Sequence, residues 1–239
     1  MYDAPNCVKC FFIPFPARET YKMYKKNSAV FFDFDGVLVD STETKTNAYR
    51  ELFKSYGQDV VSKIVEHHQQ HGGISRVDKI IYAHQHFIDG PYSEETVAEH
   101  AQKYSELVFE KVVKTNWIPG AEEFVKLHSQ HIPLFIISGT PQVELVEVVK
   151  HRNMGHYFKE VLGSPIRKPE HIRSLVDRYK LDIENCFFIG DALTDYYAAK
   201  ETDMPFIGIY SEVAFPEGTT VLPDCTDLME TMVQFDEMR

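Results

Sequence analysis

Asp33 and Asp35 stand two residues apart, where the apolar run Ala29–Phe32 ends and just before Gly36. A strand repeats every two residues, so both carboxylates share a face if extension continues. Carboxylates crowded at a strand tip repel, and the repulsion calls for a cation, a proton or both. One of them can attack phosphorus as a nucleophile, while the other protonates a leaving oxygen and later deprotonates water. Gly36 lets backbone N–H groups approach a phosphate closely. Asp-Gly is also an ordinary solvated turn, so this pattern leaves both readings open.

Three further groups follow the same rule of polar residues after apolar runs. Asp191 and Asp195 lie four apart, one helical turn if that segment is helical. With Asp33 they would make a cluster of hard oxygen ligands suited to Mg²⁺; the plainer alternative is a helix cap plus a first-turn acid. Ser138 and Gly139 follow the apolar stretch 134–137. The serine hydroxyl and the next N–H groups can bind a phosphate oxygen at a helix N-terminus, or simply cap that helix. Lys168, just before Pro169, can offset phosphate charge and restrain a nucleophilic carboxylate, or stand solvated in a loop.

The elements that must position these residues read as strands alternating with helices. Apolar runs at 29–33, 133–137, 160–163, 186–189 and 206–210 predict strands. Helical spacing is predicted over 121–130, 142–152, 169–179, 194–201 and 227–235. That alternation implies an α/β, Rossmann-like parallel sheet with helices on both faces. Ligands bind such sheets at the carboxyl ends of the strands, where all four groups fall. Residues 41–117 carry helical spacing almost throughout and read as an inserted α-helical cap domain. The expected organisation is an N-terminal arm over 1–28, a core made of 29–40 and 118–239, and the cap between them.

The order of the groups, Asp33-Phe34-Asp35-Gly36-Val37-Leu38-Val39-Asp40-Ser41, then Ser138-Gly139-Thr140, Lys168-Pro169, and Gly190-Asp191 to Asp195, resembles the haloacid dehalogenase-like superfamily. The resemblance covers about residues 29–237 and points to the phosphoglycolate phosphatase and β-phosphoglucomutase-like subgroup. It implies that Asp33 is a nucleophile forming an aspartyl phosphate. It implies that Asp35 is the general acid/base and touches the metal through its backbone carbonyl. Asp33, Asp35, Asp191 and Asp195 would then surround Mg²⁺, with Asp195 in an outer or water-mediated role. Gly36, Ser138, Gly139 and Lys168 would bind phosphate. Members that cleave carbon–halogen bonds lack an acid at Asp35, so phosphoryl chemistry is implied.

The segment Gly72-Gly73-Ile74-Ser75-Arg76 is similar to the cap loop of the mutase-like members and related sugar phosphatases. Arg76 could reach a substrate phosphate or hydroxyl; the bland alternative is a cap at Ser75 and a solvated arginine. The mutases carry Lys where this chain has Gly72. The expected activity is Mg²⁺-dependent hydrolysis of a small phosphorylated metabolite, sugar phosphates among the candidates. The alternatives are a phosphoglucomutase-like phosphotransferase and a non-catalytic binding protein on the same fold.

Composition excludes other classes. In 239 residues, 36 acids against 25 Lys and Arg give a net charge of −11, which offers no general attraction to nucleic acid or anionic lipid. No apolar run approaches the roughly 18 residues needed to span a bilayer. Four cysteines do not make a disulfide scaffold in a chain of this length, so the expected compartment is the cytoplasm. Cys7 and Cys10 make half a zinc motif without a second half, within an arm that does not read as a signal peptide. His67 and His71 lie one helical turn apart, a metal-compatible spacing with no obvious third ligand; solvated histidines are expected there.

Overall fold

The computed structural model describes residues 26–237, so Cys7, Cys10 and nearly all of the expected N-terminal arm lie outside the described residues. Five apolar segments form the strands β1 (Ala29–Phe32), β2 (Leu134–Pro141), β3 (Glu160–Ser164), β4 (Cys186–Gly190) and β5 (Phe206–Ile209). A sixth, β6 (Val221–Leu222), has only two residues, too short to show any periodicity in sequence. All pair in parallel in the order β3-β2-β1-β4-β5-β6. The order reverses at β1, flanked by β2 and β4, and that reversal opens the crevice in which α/β sheets bind ligands.

Alternation along β1 explains why both faces of the sheet are covered. Val30 and Phe32 point into one apolar layer, built with α5 (Ala121–His128), α6 (Gln142–His151) and α9 (Leu228–Glu237). Ala29 and Phe31 point into the other, built with α7 (Lys168–Tyr179) and α8 (Leu193–Glu201). A strand buried on both sides must be apolar at every position, as these are. The arrangement is the α/β Rossmann-like fold that the alternation implied.

Between β1 and α5 the chain inserts α1 (Thr42–Phe53), α2 (Gln58–Gln70), α3 (Arg76–His86) and α4 (Glu94–Lys114). Each presents an apolar stripe: Tyr49 and Phe53, Ile64 and Val65, Ile80 and Ala83, Tyr104 and Val108 are all buried together. Two neighbouring segments carry the chain into and out of the insertion. They are tied by Asp40 N–H to the Asn116 carbonyl (3.0 Å) and Ile118 N–H to the Leu38 carbonyl (3.0 Å). Those paired segments put the insertion directly above the strand tips. Among the described residues no helix is long and apolar enough to cross a membrane.

Candidate active site

Asp33 is the first residue beyond β1, fixed by its N–H to the Ile189 carbonyl of β4 (2.9 Å). Lys168 opens α7, and its position there turns the expected loop lysine inward. Its ammonium is buried and bridges Asp33 Oδ1 (2.8 Å) and Asp195 Oδ1 (2.5 Å). Asp195, in the first turn of α8, is fully buried and accepts the Ala192 N–H through its other oxygen (3.1 Å). Asp191 follows β4 and packs against Gly36, which has a φ of +79°. A Cβ on Gly36 would collide with the Asp191 carboxylate, so glycine is required there for space as well as for backbone.

Carboxylate oxygens of Asp33, Asp191 and Asp195 all lie within 4.8 Å of one another. One ammonium faces three buried carboxylates, which leaves two negative charges unbalanced. Burial, and then the neighbouring Lys168 and aspartates, set the proton affinity of Asp33, which is pushed up to about 7. Burial and the charges of Asp33 and Asp195 likewise raise Asp191 well above the usual carboxylate range. The Lys168 ammonium is held in its charged form by the two carboxylates against the cost of its burial. The Asp191 carboxylate has no hydrogen-bond donor among the described residues. Hard oxygens with an excess charge of two suit Mg²⁺, and these three residues would hold it.

Asp35 belongs to a different set of contacts. Because β1 ends at Phe32, the strand period does not carry through, and the two aspartates do not share one cluster as expected. The Asp35 carboxylate accepts from Ser41 Oγ (2.5 Å), Lys45 Nζ (2.5 Å) and Thr140 Oγ1 (3.0 Å). Burial alone would raise its pKa; Lys45 and the two hydroxyls outweigh that and lower it. Of the four residues expected around Mg²⁺, Asp35 alone was expected to reach it through its backbone carbonyl, and its carboxylate lies outside the cluster. Ser41 precedes α1 but makes no cap; its hydroxyl is turned to Asp35 instead.

Ser138 and Gly139 lie inside β2 rather than after it, because the strand runs on to Pro141 through an irregularity in its pairing with β3. The Ser138 hydroxyl accepts the Thr140 N–H (3.1 Å), and α6 begins only at Gln142, so the expected helix N-terminus is displaced from the serine. Ser138, Gly139, Asp33, Asp35 and Asp191 nevertheless line one cavity of about 90 Å³. A larger cleft, about 980 Å³ beside Trp117 and Phe124, contains none of the strand-tip residues.

Arg76 lines the same cavity, but its guanidinium is not available to a substrate as expected. Its fork is closed on Glu144 of α6 at 2.8 and 2.7 Å, and it also meets Ser105 and the face of Tyr104. Ser75, as the bland reading held, caps α3 by accepting the Asp78 N–H (3.2 Å). The Arg76–Glu144 pair joins the insertion to the core and is nearly dry. Glu144→Ala would strand a buried guanidinium and is expected to cost about 3–5 kcal/mol, read as a lower midpoint in urea unfolding. Glu144 is held below its unfolded pKa by Arg76 and Ser105 against burial. Its contribution is therefore present above the unfolded value and disappears as pH falls through the folded one.

Gly72 and Gly73 seat the insertion on the core. Thr194 Oγ1 donates to the Gly72 carbonyl (2.8 Å), and Gly73 adopts φ +76° against Thr194 and Gly139. A side chain at Gly72 would press on Ala192. Gly73→Ala is expected to lower kcat/KM at least tenfold and to cost about 1–2 kcal/mol in urea unfolding for the left-handed backbone, because the added Cβ blocks seating against Thr194; kinetics equal to the wild type would exclude this.

The contacts also reveal residues that sequence reasoning missed: Lys45, Thr140, Lys79, His68, Tyr49 and Tyr104 all line the cavity. Thr140 stands in β2 within the Ser138-Gly139-Thr140 group, but nothing in that pattern assigns it a role; the only sequence signal of the others was helical spacing, which does not say which face turns to the strand tips. His67 and His71 stack ring on ring, with centroids 4.2 Å apart, and do not join the one cluster of three ligating side chains found among the described residues.

Residues 30–209 match the sequence profile of a family described as haloacid dehalogenase-like hydrolase. The chain is 28% identical over 180 residues to a phosphorylated carbohydrates phosphatase from Thermotoga maritima, covering 72% of this chain and 80% of that one. It is 25% identical over 187 residues to a phosphoglycolate phosphatase from Pseudomonas fluorescens, covering 75% and 68%. A solved β-phosphoglucomutase from Clostridium difficile superposes with a TM-score of 0.72 at 19% identity, covering 88% of this chain and 99% of that one, a likeness of fold.

Proposed function

Because the chain belongs to the haloacid dehalogenase-like hydrolase family, and is a phosphatase of that family, we propose that it hydrolyses a small phosphate monoester through an aspartyl phosphate on Asp33, with Mg²⁺ as cofactor. The observation that carries this reading is the Asp33 carboxylate, clamped by Lys168 in a buried trio with two unbalanced negative charges.

An Asp33 oxygen forms a bond to phosphorus while the ester P–O bond breaks. Asp35, once it has taken up a proton against the pull of Lys45, gives it to the departing oxygen. Water then attacks the aspartyl phosphate, Asp35 takes the water's proton, and inorganic phosphate leaves with Asp33 restored. Lys168 steadies the nucleophile and offsets charge on the phosphoryl oxygens, with the Ser138 hydroxyl and the Gly139 backbone as further donors; the Gly36 N–H, expected to join them, instead donates to the Val39 carbonyl (2.8 Å). Mg²⁺, when bound, supplies the remaining charge compensation. Residues 29–40 and 118–239 act as the catalytic core and 41–117 as a cap that excludes water during the first step.

The test is phosphate release from a panel of small phosphorylated metabolites, with Mg²⁺ and with EDTA, alongside product analysis. Release that requires Mg²⁺ supports the reading. Isomerised sugar phosphate without net release would replace it with a mutase, and neither product from any compound would overturn it.

A further inference from the structure

Three cations, Lys45, Arg76 and Lys79, line the cavity and a fourth, Lys168, stands behind Asp33; three of these four are paired. Lys168 faces Asp33 and Asp195, Lys45 faces Asp35, and Arg76 faces Glu144. The remaining cation, Lys79 of α3, makes no ion pair among the described residues although it is only 5% exposed. Its ammonium donates to His68 Nδ1 (2.9 Å) and the His68 carbonyl (3.3 Å). An ammonium has three N–H donors, so one remains without a partner among the described residues, in a cavity wall. His68 accepts at Nδ1 and is kept neutral by its burial and by Lys79, so it orients the lysine and adds no charge. An unpaired buried cation is costly, and a ligand anion would relieve that cost.

We propose that Lys79, oriented by His68, binds a second anionic group of the substrate, a carboxylate or a second phosphate, so that the substrate is a small phosphate monoester carrying two anionic ends. The inference rests on the phosphatase reading for the place of the transferred phosphate, at Asp33, Ser138 and Lys168 of the core. Lys79 comes from the insertion, so it meets the leaving-group part of the molecule. The small cavity favours a short spacer between the two anions. Burial and the neighbouring Lys45 lower the Lys79 pKa to about 7 against the pull of Asp191 and Asp35, and an anion seated beside the ammonium would raise it again. The pairing of Arg76 with Glu144 leaves Lys79 as the cation of the insertion free to do this.

Binding is measured by calorimetry with Mg²⁺ present, in an Asp33→Asn background so that turnover does not interfere. The probes are matched pairs: 2-phosphoglycolate against 2-hydroxyethyl phosphate, and propane-1,3-diol bisphosphate against 3-hydroxypropyl phosphate. At least one dianionic-ended probe is expected to bind roughly 10- to 100-fold more tightly than its neutral partner. Adding Lys79→Met should erase that preference and change the neutral partner less than threefold, while Lys79→Arg should keep most of it. The better pair says whether the group is a carboxylate or a phosphate. Equal loss for both members of a pair would show that Lys79 serves the transferred phosphate. No preference, or no binding of any probe, would equally overturn the proposal. Phosphate release by the wild type from the same four compounds is scored separately. Anion preference without release would sink only the phosphatase reading, and release without preference only this one.

Discussion

Asp33→Asn is expected to abolish Mg²⁺-dependent phosphate release, with a loss of roughly 10⁴-fold or more, because no other group can take the phosphoryl. The amide keeps the size of the carboxylate but cannot attack phosphorus. Folding should survive. Lys168 retains Asp195 at 2.5 Å, and one of three mutually repelling carboxylates loses its charge. The urea midpoint should therefore stay level or rise. The check is a pair of measurements on one preparation: phosphate release and covalent labelling by a ³²P-labelled substrate trapped with acid. Wild type should carry acid-stable label that hydroxylamine removes, and Asp33→Asn should carry none. A labelled Asp33→Asn, or one that releases phosphate at a tenth of the wild-type rate, would place the nucleophile elsewhere.

What the sequence reveals about this molecule follows the reach of each interaction. Ala29–Phe32 and Cys186–Gly190 are legible because strands buried on both faces must be apolar throughout, and that run is local. Asp33, Ser138, Lys168 and Asp191 are legible because each sits at or near the end of such a run or opens a helix. Asp35 is only half legible. Its position follows from the motif, but its partners Lys45 and Thr140 are 10 and 105 residues away. Arg76 misleads for the same reason. Nothing near it in sequence announces Glu144, 68 residues on, and a glycine-flanked arginine without a visible partner reads as a substrate ligand. Lys79 is silent in sequence as one polar residue in a helix, and becomes informative only when the insertion folds over the strand tips and leaves it unpaired.

Asp35→Asn is expected to slow phosphate release from alkyl phosphates by roughly 10²–10⁴-fold, the usual share of a positioned general acid or base. The two half-reactions should suffer differently with leaving group. An alkoxide needs a proton as it departs, so attack on an alkyl phosphate loses its acid and little aspartyl phosphate forms. p-Nitrophenolate leaves without one, so that ester should still phosphorylate Asp33. Attack of water then lacks its base. Asp35→Asn should therefore give a burst of p-nitrophenolate near one equivalent per active site, followed by slow turnover. The contacts of Asp35 make this a test of its proton and not of its place. Asn has one acceptor oxygen, so it can still accept from Ser41 or from Thr140 while its amide N–H faces the other hydroxyl; it loses the ion pair with Lys45, and the freed ammonium remains beside Thr140 at 2.8 Å. Lys45→Met is the control. It removes the cation that holds the Asp35 pKa down while leaving the carboxyl group, so the pH profile should move to higher pH with no burst. Equal slowing of alkyl and p-nitrophenyl esters by Asp35→Asn, without a burst, would assign Asp35 to holding the cap's Lys45 in place rather than to moving protons.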